Sequence, residues 1–96
     1  MHAIVRSYSG QGASEVFDLI AQREEDVTNL IAGVPGFVSY VAIRTGEGGV
    51  TVTVCQDKAG TDDSARRAAE WLEENTSVIV AKPTITEGDT LLHFSS

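Results

Sequence analysis

One cysteine, two histidines and two prolines are all that this 96-residue chain holds of those types. A single thiol, Cys55, cannot form an internal disulfide, and its solitude fits a reducing, cytoplasmic setting. With His2 and His93 it makes too small a ligand set for structural zinc. Cations are scarce too: seven Lys and Arg against fourteen Asp and Glu leave a net charge of −7. Phosphate-binding surfaces need clustered cations, so nucleic acid and anionic membrane are not expected as partners. No apolar run approaches the roughly 20 residues of a membrane span. The start, Met1-His-Ala-Ile-Val-Arg6, lacks the basic region and long apolar block of a secretory signal. No phosphate loop, nucleophile elbow or paired metal-ligand motif is present, and Gly10-Gln-Gly12 is too short for a nucleotide fingerprint.

What the chain does have is a clean change of period. In Ile31-Ala-Gly-Val-Pro-Gly-Phe-Val-Ser-Tyr40 a helical spacing of apolar residues gives way to a strand spacing. Gly33 can end a helix in the left-handed conformation, Pro35 forbids its continuation, and Gly36 frees the turn into Phe37. Upstream, His2, Ile4, Arg6 and Tyr8 alternate with Ala3, Val5 and Ser7 as in a strand. Ser14 is the expected cap of one continuous helix that runs to Gly33, with Leu19, Leu30, Val16, Val27, Ile20 and Ile31 on one face and Phe17 at its margin. Phe37 to Thr45 and Val50 to Asp57 read as a hairpin joined by Gly46-Glu-Gly-Gly49. Thr61-Asp-Asp-Ser64 is expected to open a second helix, with Asp62–Arg66 and Asp63–Arg67 pairs and a buried stripe of Ala65, Ala68, Ala69, Leu72 and Ile79. Its alanines predict close approach to the surface it covers. Ile85 and Leu91 to Phe94 give the last strand, interrupted near Glu87-Gly-Asp89.

The order strand, helix, strand, strand, helix, strand in a chain with room for one core predicts a single α+β domain over 1–96. A ferredoxin-like sheet of four antiparallel strands, order 4-1-3-2, would carry two helices on one face. The other face then matters. Phe37, Val41 and Ile43 alternate with Val38, Tyr40 and Ala42, and Val50, Val52 and Val54 with Thr51, Thr53 and Cys55, so both faces are largely uncharged. A lone copy would expose a large apolar patch, which predicts a homodimer packed sheet on sheet.

The element order, the Val34-Pro35-Gly36-Phe37 junction and the Trp71-Leu72 pair together resemble the antibiotic-biosynthesis-monooxygenase-like branch of the dimeric α/β-barrel superfamily. That resemblance covers nearly the whole chain. It implies a homodimeric barrel and, as activities, cofactor-free oxidation of aromatic polyketides or quinols, or haem degradation. In haem-degrading relatives a Trp on this helix works with a His about ten residues later and an Asn in the first strand. Trp71 matches, but Ala81 stands near the His place and the first strand offers Arg6 and Ser7. The resemblance therefore implies no cofactor here.

Several residues could carry chemistry. Arg23 falls inside the apolar arc of the first helix, either as a cation under the sheet for an anionic or enolate oxygen, or as a snorkelling side chain paired with a carboxylate. Arg6 and Tyr8 share a side of a central strand and can line a cavity together; a salt bridge across the dimer explains Arg6 equally well. His93, placed on the last strand, is a candidate general base or an interface histidine. Trp71 either caps a pocket mouth or packs on the partner chain. Tyr40 and Phe17 are candidate contacts for an aromatic ligand, Tyr40 through its hydroxyl, and both also read as core. Cys55, without a neighbouring cation, reads as a buried structural thiol. Two functions follow: a cofactor-independent monooxygenase in which Arg23, Arg6 or His93 acts on a small aromatic, or a non-catalytic binding or assembly module.

Overall fold

The structure is a computed structural model that describes residues 1–96. Four strands, β1 (His2–Tyr8), β2 (Phe37–Thr45), β3 (Gly48–Cys55) and β4 (Thr84–Asp89), form one antiparallel sheet in the order β2-β3-β1-β4. This is the expected 4-1-3-2 order and the ferredoxin-like α+β arrangement. Helices α1 (Ala13–Gln22), α2 (Glu24–Ala32) and α3 (Lys58–Asn75) supply the covering layer. No helix is long and apolar enough to cross a membrane.

The first helix is two helices rather than one. Arg23, at φ −118° and ψ 38°, leaves the helical region and separates α1 from α2. Glu24, Glu25 and Asp26 fill the first turn of α2, where carboxylates meet the positive end of the helix dipole. Nor does Ser14 cap α1: Gly12 precedes the helix in the left-handed conformation at φ 78°. That glycine is obligatory for a second reason, because a β-carbon there would lie 2.5 Å from the Ile79 carbonyl oxygen. The Ala81 amide also donates to the Gln11 carbonyl at 2.8 Å, so the segment after α3 is tied to the turn before α1.

Gly33 ends α2 in the right-handed region, at φ −78°. The left-handed residue is Gly36, φ 75°, following Pro35 in a turn closed by the Phe37 amide and the Val34 carbonyl at 3.1 Å. Pro then Gly is the pair a type II turn requires. Helix α3 begins earlier than the acidic run suggested. Asp57 caps it, its Oδ1 accepting from the Gly60 amide at 3.2 Å. The buried positions of α3 are Gly60, Thr61 and Ser64, all near its start. Ile79 lies past its end and is 72% exposed. The close approach to the sheet is made by Gly60, where a β-carbon would lie 2.8 Å from the Cys55 β-carbon of β3, and not by the alanines.

Strand β4 runs through Glu87-Gly-Asp89 without interruption, since an edge strand has one neighbour to satisfy. Leu91 to Phe94 lie beyond it. The Thr90 amide donates to the Met1 carbonyl at 2.8 Å, and His93 Nε2 reaches Ser39 Oγ at 3.4 Å.

Alternation sorts the sheet into two faces. His2, Ile4, Arg6 and Tyr8 of β1 are buried under the helices, with Thr51, Thr53 and Cys55 of β3 beside them. Across the core Val16, Phe17, Val27 and Ile31 close the layer. The opposite face carries rows of apolar side chains in register, Val41–Val52–Val5 and Ile43–Val50, with Val41 51% and Ile43 47% exposed.

Replacing Asp57 with alanine removes the cap and is expected to cost about 1 kcal/mol, a fall of about 4–8 °C in melting temperature at this size. Thermal unfolding followed by circular dichroism checks it; an unchanged midpoint would mean that the cap contributes nothing.

Candidate functional site

Arg6 is the centre of the site. Its position in β1, one strand in from the edge and facing the helices, leaves it 4% exposed. Its Nε donates to Thr51 Oγ1 at 3.2 Å, directly across the β1–β3 register, and Nη1 donates to the Ser64 carbonyl at 3.4 Å. Both acceptors are neutral. None of the ion pairs of the chain involves Arg6. A buried cation normally has a carboxylate beside it, because desolvation otherwise costs several kcal/mol per ion. Here the anion is missing.

Two spaces open on that guanidinium. A cleft of about 650 Å³ lies between α3, the 76–83 segment and strands β1 and β4. Arg6 and Tyr8 line it with Leu72, Val80 and Ile85, while Glu73 and Lys82 supply its charged groups. Ala65 and Ala69 also face it, so the alanines of α3 leave room where larger side chains would have filled it. On the other side of Arg6 is a void of about 30 Å³, bounded by Tyr40, Thr51, Leu30, Ala68 and Trp71 among others. A third space, a side cleft of about 360 Å³ between α1, α2 and β2, is reached past Tyr40, which lines both it and the void.

The two phenols stay neutral here. Burial pushes the Tyr8 hydroxyl above its ordinary pKa, and the nearby Arg6 charge opposes this only in part. Tyr40 is raised for the same reason, with Arg6 and Thr51 close to its oxygen. Both are therefore proton donors at neutral pH. Phe17 is buried and meets Tyr8 edge to face, centroids 5.9 Å apart and planes at 77°. It lines the side cleft and braces Tyr8 from behind.

The other candidates are placed elsewhere. Arg23 is exposed at the α1–α2 break and takes the second of its two expected roles, paired with a carboxylate: its Nε donates to Asp26 Oδ2 at 2.7 Å and its guanidinium stands 5.9 Å from the Trp71 ring centroid. The apolar face of the projection is buried at Val16, Val27 and Ile31, while Arg23 turns outward where the helix breaks. His93 is not on β4 but in the exposed segment after it, against Ser39 on the open face, so it does not converge with Arg6. Arg6 in turn points away from the open face, which removes the salt bridge across a sheet-on-sheet dimer. Trp71 faces α1 and α2 and walls the void. Cys55 is fully buried, its thiol pushed up by desolvation and by the charges of Asp57 and Asp63. Sequence reasoning missed Thr51 and the Ser64 carbonyl, which hold the guanidinium; only the strand register reveals that Thr51 lies opposite Arg6.

No family model matches the chain, and no curated protein matches it by sequence. Solved structures do. A dimeric ferredoxin-like protein from an uncultured marine organism aligns at TM-score 0.64 and 12% identity over 99% of this chain and 96% of its own. The haem degrader MhuD of Mycobacterium tuberculosis aligns at 0.65 and 17% over 99% and 100%. SnoaB of Streptomyces nogalater, a cofactor-independent oxygenase, aligns at 0.51 and 17% over 96% of each chain. These likenesses are in fold, the ferredoxin-like α+β arrangement.

Haem would find no imidazole ligand in the cleft. Neither histidine lines the cleft: His2 is buried against Thr61 Oγ1 at 2.7 Å, and His93 is on the far face. Ala81, which does line it, offers no ligand atom.

Tyr8 and Tyr40 are the only tyrosines, so tyrosinate absorbance reports the site alone. Because both pKa values are raised on folding, their contribution is fully present below the unfolded value of about 10 and is lost as pH rises above it. Alkaline titration should therefore show tyrosinate appearing together with loss of secondary structure. Ionisation near pH 10 in the folded protein would show that the phenols are not buried.

Proposed function

We propose that the chain is a homodimeric, cofactor-independent monooxygenase-type enzyme that takes a small aromatic, quinol-like substrate into the cleft beneath its sheet. The observation that carries this reading is Arg6: a guanidinium buried to 4% exposure, in no ion pair, lining a mostly apolar cleft. Such a cation is uncompensated until a ligand brings negative charge. In low dielectric it stabilises an oxyanion far more than it would in water, which favours the enolate or phenolate form of a bound substrate. An electron-rich anion of that kind can react with dioxygen directly. For a substrate with an activated methylene, the proton leaves to water at the cleft mouth, the carbanion reduces O2 by one electron, and the radical and superoxide join in a C–O bond. Protonation of the peroxide and loss of water give the carbonyl, so that CH2 plus O2 becomes C=O plus H2O. Tyr8, neutral and beside Arg6, is placed to donate a hydrogen bond to the same oxygen. Supporting the reading is the likeness in fold to the cofactor-independent oxygenase SnoaB.

Oxygen uptake with a panel of anthrones and quinols tests it. Turnover by the unmodified protein is expected to be lost in Arg6→Leu, with a melting temperature equal or higher, because a desolvated, unpaired cation is removed. Uniform silence of the unmodified protein across the panel would favour a non-catalytic binding module.

The dimer rests on the open face. The valine and isoleucine rows of β1, β2 and β3, with Leu91, Leu92 and Phe94 between 79% and 96% exposed, form an apolar surface that a second copy covers. The fold neighbour described as dimeric agrees with this. Sedimentation at micromolar concentration should give twice the 10.2 kDa chain mass. Val52→Lys, in the middle of that face, should give single chains; a monomeric unmodified protein would exclude the arrangement.

A further inference from the structure

We propose that the void behind Arg6 is a dioxygen niche, separate from the cleft that takes the organic substrate. The inference rests on the oxygenase reading above and adds to it where the second reactant waits.

The void is about 30 Å³, and its lining is apolar except for Arg6, Thr51 and the tyrosine hydroxyls. A space of at least about 10–15 Å³ admits one water-sized molecule, so one diatomic fits. Water gains little there, since a buried water needs two to four polar partners and the surface of the void is almost wholly apolar. An apolar gas meets no such requirement.

Position matters more than size. Arg6, Tyr8 and Leu72 line the void and the cleft alike. A substrate anion in the cleft and O2 in the void then share one guanidinium. When the anion gives up an electron, its charge passes to O2, and superoxide forms beside a cation that needs no rearrangement to hold it. The same residue thus attends the charge before and after transfer. Tyr40 lines both the void and the side cleft, and Trp71 walls the void.

The test uses residues that line the void but not the cleft. Ala68 and Val27 qualify. Ala68→Val, and Val27→Ile as an independent filling, should raise the KM for oxygen about tenfold while leaving the KM for the aromatic substrate in place. Xenon under pressure, read by crystallography or by 129Xe chemical shift, should occupy the void in the unmodified protein and be excluded from Ala68→Val. Empty density at the void under xenon, or an unchanged oxygen KM in a folded, filled variant, overturns the niche while turnover itself stands. Absence of turnover by the unmodified protein sinks the oxygenase reading, and the niche with it.

Discussion

A single unpaired positive charge in the interior organises this molecule. Strand order puts Arg6 in a middle strand, pleating turns it toward the helices, and the antiparallel register places Thr51 opposite to receive its Nε. The first turns of α3, drawn tight to the sheet by Gly60, bring the Ser64 carbonyl within 3.4 Å. These neutral acceptors orient the guanidinium without neutralising it. A charge in such surroundings lowers stability, and a well-packed apolar side chain would serve folding better. Its presence is most readily understood as the cost of a site, which is why the functional argument concentrates there and not on the exposed ion pairs of Arg23, Arg44 and Arg66.

The cleft follows from how α3 covers the sheet. Where it starts, Gly60, Thr61 and Ser64 press against β1 and β3; further along, Ala65 and Ala69 stop short of the strands. The 76–83 segment closes the resulting gap, held by backbone contacts to the turn at Gln11 and Gly12 and by Val80 packing on the core.

Much of the architecture was legible because periodicity and turn chemistry are local. The Pro35-Gly36 turn, the β2–β3 hairpin and the sheet order follow from short stretches of sequence. The break at Arg23 was missed although Glu24-Glu25-Asp26 signals a helix start, because the apolar face runs on from Leu19 and Ile20 to Val27 and Leu30 as if uninterrupted. The last strand was displaced by its composition: Thr84 to Asp89 is polar and pairs on one side only, while Leu91 to Phe94 looks like a strand and is not one. At the site, Arg6 and Tyr8 were found together since they lie two apart on one strand. Thr51, Ser64 and the empty space between them were not, because they meet only through register and helix placement.

The inner face of β3 presents Thr51 and Thr53, and the outer face Val50, Val52 and Val54. Threonine and valine have nearly the same shape, so exchanging them alters polarity and hydrogen bonding while the contour of the interior is kept. The Thr53 hydroxyl already sits there without a partner. Chemical character can therefore drift at such positions on an unchanged scaffold, one methyl or hydroxyl at a time. A sheet built in this way can change the ligands it admits long before its outline changes.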